Sequence, residues 1–403
     1  MTDLEFLPQF PLAANPLALF GVLLLAGVLG GELTRRVLNV PRITGYVLIG
    51  LTLGASGLNV LDARMLGYTR VFFDIGLGLV LFELGRRVHF GWLMRDRWLA
   101  VMALAECTLS FGCMFGALVW FQVEPLYAAV AAAIGVSSSP AIVLLVAREL
   151  KAEGQVTERA LNLVAVNSVA AFVLVTMLLS WIHREYHAGW FVMVLHPLYI
   201  MAGSLFAGLA ASWLALGLAG WLGKRIELHA ALLLAVVVLL VGAAEALKLS
   251  ILISLLTFGV LIGNLDRDHV LMPVDVGRFS QIFFVVLFVA TGAILKVSDL
   301  VAGGAIAAVY IAARFVGKSI GVLCFAHLSR IRAGSGGLLS IALLPMSGIA
   351  LAMTYSAESF YPAFSAKLRV IVLAAALVLE LIGPLAVQFA LRRAGEAQKE
   401  EAP

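Results

Sequence analysis

The stretch AAIGVSSSPAIVLLVAREL, Ala132 to Leu150, poses the problem that decides the fold of this chain. It is apolar enough to lie in a membrane, yet four residues interrupt it near its middle: Ser137, Ser138, Ser139 and Pro140. In hydrocarbon every backbone N–H and C=O must be paired, so irregular backbone survives at mid-depth only when it is buried in protein or lines a wet cavity. The stretch therefore predicts a broken membrane helix at an internal site.

The composition is that of a polytopic membrane protein. Of the 403 residues, 62% are hydrophobic and only 13% are charged, whereas a soluble domain carries about 25% charged residues. The first residues, MTDLEF, lack the basic region of a secretory signal, so we expect no cleaved leader. The net charge is +4, and the basic residues are spread through short loops. This distribution favours a role in membrane orientation over nucleic-acid binding.

The histidines and cysteines do not predict a catalytic or metal centre. The seven histidines lie at or near the ends of apolar segments, and the three cysteines lie inside such segments. No nucleophile–base constellation, metal cluster or cofactor motif is found in the sequence. We therefore expect a protein that is not an enzyme and that needs no cofactor.

The chain divides into thirteen apolar segments. A bilayer core of about 30 Å needs about 20 apolar residues per helix. The weakest division separates the eighth segment from the ninth. The predicted spans are 15–34, 43–61, 71–87, 98–121, 126–148, 158–182, 195–221, 229–247, 249–264, 276–296, 301–326, 335–355 and 366–391.

Loop charges predict the orientation of the chain. With the N-terminus outside, 19 of the 28 lysines and arginines fall in inner loops and the C-terminal tail, and 7 fall in outer loops. Basic residues favour the cytoplasmic side of a membrane. We therefore expect a multi-pass protein of a bacterial-type inner membrane, with the N-terminus outside and the C-terminus in the cytoplasm.

A second interruption lies in the twelfth span, seven spans after the first. In LLSIALLPMSGIALAM, Leu338 to Met353, Pro345, Ser347 and Gly348 lie midway along the segment. Two inverted six-helix repeats joined by one linker helix would give this offset, and paired interruptions in inverted halves point to a transporter's central site. The alternative is two ordinary proline kinks, since proline is common in membrane helices. The pair favours two broken helices that cross at mid-depth.

Four charged residues inside predicted spans are candidates for the site: Glu106, Arg314, Lys318 and Glu380. Glu83 and Glu245 also lie inside predicted spans, and for these we favour packing or interfacial roles. A central charge costs at least about 2.5–3.5 kcal/mol on insertion scales, so each needs a partner, a wet cavity or a function. Arg314 would neutralise the C-terminal dipoles of the broken helices or pair with Glu380 or Glu106. Lys318 either compensates charge there or extends to the inner interface, and we favour the interface. A fixed ion pair that only holds helices together is the structural alternative for Arg314.

Five motifs in this order resemble the cation/proton antiporter superfamily, and within it the Kef-type and NapA-like sodium/hydrogen exchangers. The likeness covers nearly the whole chain. The motifs are PRITGYVLIGLTLGASGL (41–58), GLVLFELGRRVHFGWL (78–93), GVSSSPAIVLLVAREL (135–150), FFVVLFVATGAIL (283–295) and AARFVGKSIG (312–321).

The resemblance implies an all-α fold of two bundles. A scaffold that usually forms a homodimer would hold a moving core, which carries both broken helices and is displaced like an elevator. The implied divisions are 1–97 and 229–299 for the scaffold and dimer bundle, 98–182 and 300–392 for the core bundle, 183–228 for the linker helix and 393–403 for a cytoplasmic tail.

One position departs from the family pattern. The sixth helix of the family usually carries an Asp preceded by Asp, Asn or Gln, and that Asp binds cation and proton in competition. Here LNLVAVNSVAAFVLV has Asn167 and Ser168 at these two positions. A serine can coordinate a cation but cannot release a proton near neutral pH. Glu380 or Glu106 could supply the missing carboxylate, and Glu380 is our first candidate.

These observations predict a secondary transporter that exchanges a monovalent cation, Na⁺ or K⁺, for protons. One alternative is a transporter of the same fold for an anion or organic solute, with Arg314 as its counter-charge. Another is a membrane sensor that transports nothing. The candidate ion-binding residues are Ser137, Ser138, Ser139, Asn167, Ser168, Ser347 and Glu380. The candidate charge-compensating residues are Arg314, Lys318 and Glu106, and the helix breaks are at Pro140, Pro345 and Gly348.

Overall fold

The computed structural model describes residues 15–61, 63–88, 96–185, 190–266, 270–271, 276–332, 334–346, 348–360 and 362–398. Within these ranges the backbone is helical apart from turns and short connections. The helices are α1 (Pro16–Leu38), α2 (Arg42–Leu53), α3 (Ala63–Arg87), α4 (Arg97–Trp120), α5 (Pro125–Val136), α6 (Pro140–Glu149), α7 (Gln155–Glu185), α8 (Trp190–Leu222), α9 (Ile226–Ala246), α10 (Ile251–Leu265), α11 (Val276–Ile294), α12 (Val297–Ala326), α13 (Ser335–Ala342), α14 (Gly348–Phe360) and α15 (Pro362–Arg393).

The helices follow the predicted spans. In the described part of the chain, nine helical segments have the length and hydropathy of a membrane span, and three shorter apolar helices accompany them. The interrupted pair α13 and α14 makes the remaining span. The eighth and ninth spans are separate, because α9 ends at Ala246 and α10 begins at Ile251 after a turn in which Lys248 has a φ of 54°. The chain is therefore an all-α polytopic membrane protein.

The fifth span is broken at the predicted place. Helix α5 ends at Val136, Ser137 is extended with φ −63° and ψ 141°, and α6 begins at Pro140. The Ser139 hydroxyl caps α6 by accepting from the N–H of Ile142 at 3.3 Å. Proline at the first helical position loses nothing there, since the first N–H groups of a helix have no partner inside it.

The twelfth span is broken as well, and the two breaks touch. Helix α13 ends at Ala342 and α14 begins at Gly348. Across the crossing, the Ser139 N–H donates to the Pro345 carbonyl at 2.9 Å. The Ser138 hydroxyl donates to the Leu343 carbonyl at 2.7 Å.

The candidate residue Ser347, between α13 and α14, lies outside the described residues.

The helices pack in two main groups. Helices α1, α2, α3, α9, α10 and α11 contact one another, and α4 to α7 do so with α12 to α15. Helix α8 contacts α7, α9 and α10. The groups meet where α2 contacts α6 and α15, where α3 contacts α6 and α7, and where α10 contacts α7. In the first group, α3 and α10 are in backbone contact, and a Cβ added to Gly85 would lie 2.5 Å from the Leu256 carbonyl oxygen.

The residues after α15 fold back onto the second group. The Glu396 carboxylate accepts from the backbone N–H groups of Val156 and Thr157, at 2.7 and 2.8 Å, and from the Thr157 hydroxyl at 2.8 Å. A carboxylate at a helix N-terminus satisfies free N–H groups and complements the helix dipole. Residues predicted as a tail therefore cap α7, the helix that carries Asn167.

Candidate functional site

Arg314 lies at the crossing of the two breaks. It is fully buried on α12. Its Nε donates to the Gly135 carbonyl at 2.8 Å, its Nη2 to the Ser137 carbonyl at 2.8 Å, and its Nη1 to the Leu344 carbonyl at 2.7 Å. Helix C-termini carry partial negative charge on such carbonyls. The guanidinium therefore neutralises carbonyls freed at both breaks, as one of the two sequence hypotheses expected.

The other hypothesis for Arg314 was an ion pair with Glu380 or Glu106. Within the described residues, neither carboxyl group forms a hydrogen bond or salt bridge with the guanidinium. All three guanidinium nitrogens instead donate to backbone carbonyls.

Lys318 and Glu106 form a buried ion pair beside this crossing. Both side chains are buried, and the Lys318 ammonium contacts the Glu106 carboxylate directly. The same ammonium donates to the Val136 carbonyl, at the C-terminus of α5, at 2.7 Å. The expectation that Lys318 extends to the inner interface is therefore wrong. The helix turns Lys318 toward α4 and the first break, and away from lipid.

Two glycines explain how Lys318 reaches Glu106. A Cβ added to Gly321 would lie 2.5 Å from the Glu106 Cα, and a Cβ added to Gly317 would lie 2.5 Å from the Ser110 Cα. Only glycine lets α12 lie directly on the backbone of α4 at these positions. The spacing of the two is the small-xxx-small pattern of closely packed membrane helices, and it is visible in the sequence AARFVGKSIG. The expectation for Lys318 left this pattern out.

Asn167 on α7 joins the first break to Glu106. Its Oδ1 accepts from the Ser138 N–H at 3.1 Å. Its Nδ2 donates to the Glu106 Oε1 at 3.4 Å and to the Ser138 hydroxyl at 3.3 Å. The neighbouring Ser168 hydroxyl donates to the Ser138 carbonyl at 3.3 Å. Both side chains are fully buried, so α7 presents an amide and a hydroxyl to the break at the position where the family resemblance implied a carboxylate.

Glu380 lies apart from these contacts. It is fully buried on α15, and in the described part of the chain neither of its carboxyl oxygens has a hydrogen-bond partner. One turn further along, a Cβ added to Gly383 would lie 3.0 Å from the Pro345 Cα, so α15 itself lies against the second break. The structure does not bring the Glu380 carboxyl into contact with Arg314.

The structure thus brings most of the predicted site residues to one place. A residue that the sequence analysis missed is Tyr310, whose hydroxyl donates to the Ala131 carbonyl in α5 at 2.8 Å. Its position one turn before Arg314 was the available signal. The residues joined by contacts at the crossing are Glu106, Ser137, Ser138, Ser139, Asn167, Ser168, Arg314, Lys318 and Pro345.

The chemistry of this site suits a hard monovalent cation. Carboxylate, amide, hydroxyl and carbonyl oxygens are the ligands that such ions take. Within the ranges that the structure describes, no cluster of three or more His, Cys, Asp or Glu residues could hold a metal ion.

Comparison with known proteins gives the same fold. A family model described as "Sodium/hydrogen exchanger, transmembrane" matches residues 20–393. A structure of the sodium proton antiporter MjNhaP1 from Methanocaldococcus jannaschii at pH 8 superposes with a TM-score of 0.69 at 15% identity, over 95% of this chain and 98% of that one. An electron-microscopy structure of MjNhaP1 gives 0.72 at 16% identity, over 95% and 99% of the two chains. No curated protein matches the chain by sequence.

Proposed function

The chain belongs to the sodium/hydrogen exchanger family, and from this premise we propose that it exchanges Na⁺ or K⁺ for protons across a bacterial-type inner membrane. The single observation that supports this most is the crossing of two broken spans, with Arg314 bonded to carbonyls of both. The backbone carbonyls released from helical bonds by the breaks, together with buried side-chain oxygens, offer ligands for one small cation.

The exchange follows from the cost of an uncompensated charge. An ionised carboxyl group buried in protein is stable only when a proton, a cation or another partner compensates it. A site that crosses the membrane with either a cation or a proton, and rarely with neither, couples the two fluxes. The residues we propose for this site are those at the crossing together with Ser347 and Glu380.

We propose that the second helix group, α4 to α7 with α12 to α15, moves as an elevator-like core. The first group would be the scaffold and would form the interface of a homodimer. Three features support this arrangement: each group packs mainly within itself, both breaks lie in the second group, and the groups meet at few helix pairs. The N-terminus would face outward and the C-terminus inward.

The hydrogen bonds of Arg314 argue against the alternative of an anion or organic-solute transporter. An anion counter-charge needs donors that are free to turn toward the substrate. Here Nε, Nη1 and Nη2 each donate to a backbone carbonyl within 2.8 Å. The guanidinium charge already neutralises backbone carbonyls at the two breaks.

Transport is tested with purified protein in liposomes that contain a pH-reporting dye. We expect external Na⁺ or K⁺ to change the internal pH in protein-containing liposomes and not in protein-free ones, between mildly acidic and alkaline pH. A pH response to anions that disappears in Arg314→Ala would favour the anion transporter. Absence of any flux would favour the membrane sensor.

A further inference from the structure

We propose that Glu106 on α4 is the carboxylate that binds the transported cation, in place of the one missing at Ser168, and that Lys318 competes with the cation for it. This inference rests on the proposed function and deepens it. It moves the anionic group of the site from the sixth span to the fourth.

The first support is the place of Glu106 in the contact network. Its carboxylate is fully buried and is linked to the first break through one amide, because Asn167 contacts both Glu106 at 3.4 Å and the Ser138 N–H at 3.1 Å. Asn167 directly precedes Ser168 on α7. The Glu106 carboxylate on α4 therefore lies close to position 168 on α7, where the usual carboxylate is missing.

The second support is the charge balance around Glu106. Helix α12 contributes Lys318 and Arg314, and α4 contributes the Cys107 thiol at 3.5 Å from Glu106 Oε2. Helices α5 and α7 contribute uncharged groups, the Val136 carbonyl and the Asn167 amide. Since Arg314 is bonded to the break carbonyls, Lys318 is the cation that directly neutralises Glu106 in this structure.

The third support is the chemistry of the ammonium position. The Lys318 Nζ lies against a carboxylate oxygen of Glu106 and the carbonyl oxygen at the end of α5. Carboxylate and carbonyl oxygens are also the ligands of alkali cations in proteins. A transported cation and the ammonium would therefore use the same oxygens, and only one of them can be there at a time.

Glu380 has none of these contacts. Its two carboxyl oxygens are buried without a hydrogen-bond partner among the described residues. We therefore assign the cation to Glu106, although the sequence made Glu380 the first candidate.

The test measures cation binding separately from transport. The thermal unfolding temperature of purified wild-type protein is followed as Na⁺, K⁺ or Li⁺ is added, with choline as the non-binding cation, because a ligand that binds only the folded state raises that temperature. We expect Glu106→Gln to lose the cation-dependent rise. The control for the loss of one carboxylate is Glu245→Gln, since Glu245 lies exposed at the end of α9 and 3.6 Å from Arg70 of α3.

A second variant removes the risk that Glu106→Gln simply unfolds with Lys318 left unpaired. The double variant Glu106→Gln/Lys318→Gln removes both charges together, and we expect it to fold and to lose the cation-dependent rise as well. Lys318→Gln alone should tighten cation binding, by about tenfold if the competition has the size typical of coupled sites. A purely structural lysine would lower stability without changing the affinity for the cation.

The outcomes separate this inference from the proposed function. A cation-dependent rise that persists in the double variant, that is absent from the wild type, or that is lost only in Glu380→Gln overturns the role of Glu106. Wild-type protein that binds the cation but shows no flux in liposomes contradicts the exchange, while the binding data still decide whether Glu106 holds the cation.

Discussion

Arg314 joins the two breaks, since its side chain donates hydrogen bonds to carbonyls of both broken spans. We predict that Arg314→Gln lowers the free energy of unfolding by about 3 kcal/mol or more, the size expected when one partner of a buried charged network is removed. Chemical unfolding of the protein in detergent micelles measures this. Arg314→Lys should keep part of the stability, because an ammonium cannot bond three carbonyls in the planar geometry of a guanidinium.

An Arg314→Gln variant with wild-type stability would contradict this account. It would show that the break carbonyls find other donors.

Ser168 offers the opposite experiment, a gain of function at one residue. Its hydroxyl lies 3.3 Å from the Ser138 carbonyl, next to Asn167. A carboxylate there would lie at the first break, next to Asn167, which contacts Glu106. We predict that Ser168→Asp restores cation-dependent stabilisation and flux in the Glu106→Gln background. Ser168→Asn in the same background is the uncharged control. If Ser168→Asp and Ser168→Asn behave alike, a carboxylate at position 168 does not replace the Glu106 carboxylate, and the prediction is wrong.

At the residue scale, the sequence predicted which residues belong to the site better than it predicted which residues they contact. Ser137 to Pro140 and Arg314 stood out because polar or charged groups are costly in a membrane. The predicted environment of Lys318 was wrong because the direction of its side chain depends on how α12 is rotated against α4. That rotation follows from the close contact at Gly317 and Gly321, a small-xxx-small pattern that the expectation for Lys318 left out.

At the scale of helices, the contact between α12 and α4 can be tested with one methyl group. A Cβ on Gly321 would lie 2.5 Å from the Glu106 Cα, whereas a Cβ on Gly112 of α4 would meet nothing within 4 Å. We predict that Gly321→Ala costs about 1–3 kcal/mol by overpacking and weakens cation-dependent stabilisation. Gly112→Ala should be neutral or slightly stabilising, because alanine favours helix more than glycine does.

Thermal unfolding of the two alanine variants, with and without Na⁺, decides this. Equal effects at the two positions would mean that α12 and α4 can separate at no cost.

The helices themselves were largely predictable from the sequence. Hydropathy and turn residues placed the thirteen spans, and the two prolines placed the breaks. The capping of α7 by Glu396 was not predictable, because an isolated acidic residue in a polar terminal segment gives no sign of the helix end that it meets. Such long-range pairings depend on the packing of the whole chain.

At the scale of the whole molecule, several polar contacts join the two helix groups at one end, where α15 ends. Glu83 of α3 forms an ion pair with Arg148 of α6. The Glu149 carboxylate accepts from the Arg42 N–H at 3.1 Å, and Gln388 donates to the Asn39 carbonyl at 3.3 Å. An elevator-like displacement of one group past the other requires that these contacts break.

We therefore predict that Glu83→Gln favours the conformation in which this end is open. The measurement is the rate at which a membrane-impermeant thiol reagent labels Val146→Cys, a buried position on α6, with Cys324 and the other native cysteines replaced. The rate should rise in Glu83→Gln and fall back in the charge-swapped Glu83→Arg/Arg148→Glu. Arg36→Gln is the control, since Arg36 pairs with Glu32 within α1 at 2.7 Å.

An equal labelling rate of Val146→Cys with and without Glu83→Gln would show that the ion pair does not hold the two groups together.

Through the family resemblance, the sequence predicted a division into two bundles. It did not predict the contacts at this end, because they pair residues from distant parts of the chain.

The backbone contact between α3 and α10 has a mechanical consequence. Shear between two packed helices is accommodated by side chains that change rotamer between them. At Gly85 and Gly259 no such layer exists, since the chains approach to backbone distance there. This seam resists sliding, and the strain of any large motion must therefore fall on the interfaces between the two groups, where α2 and α3 contact α6 and where α2 contacts α15.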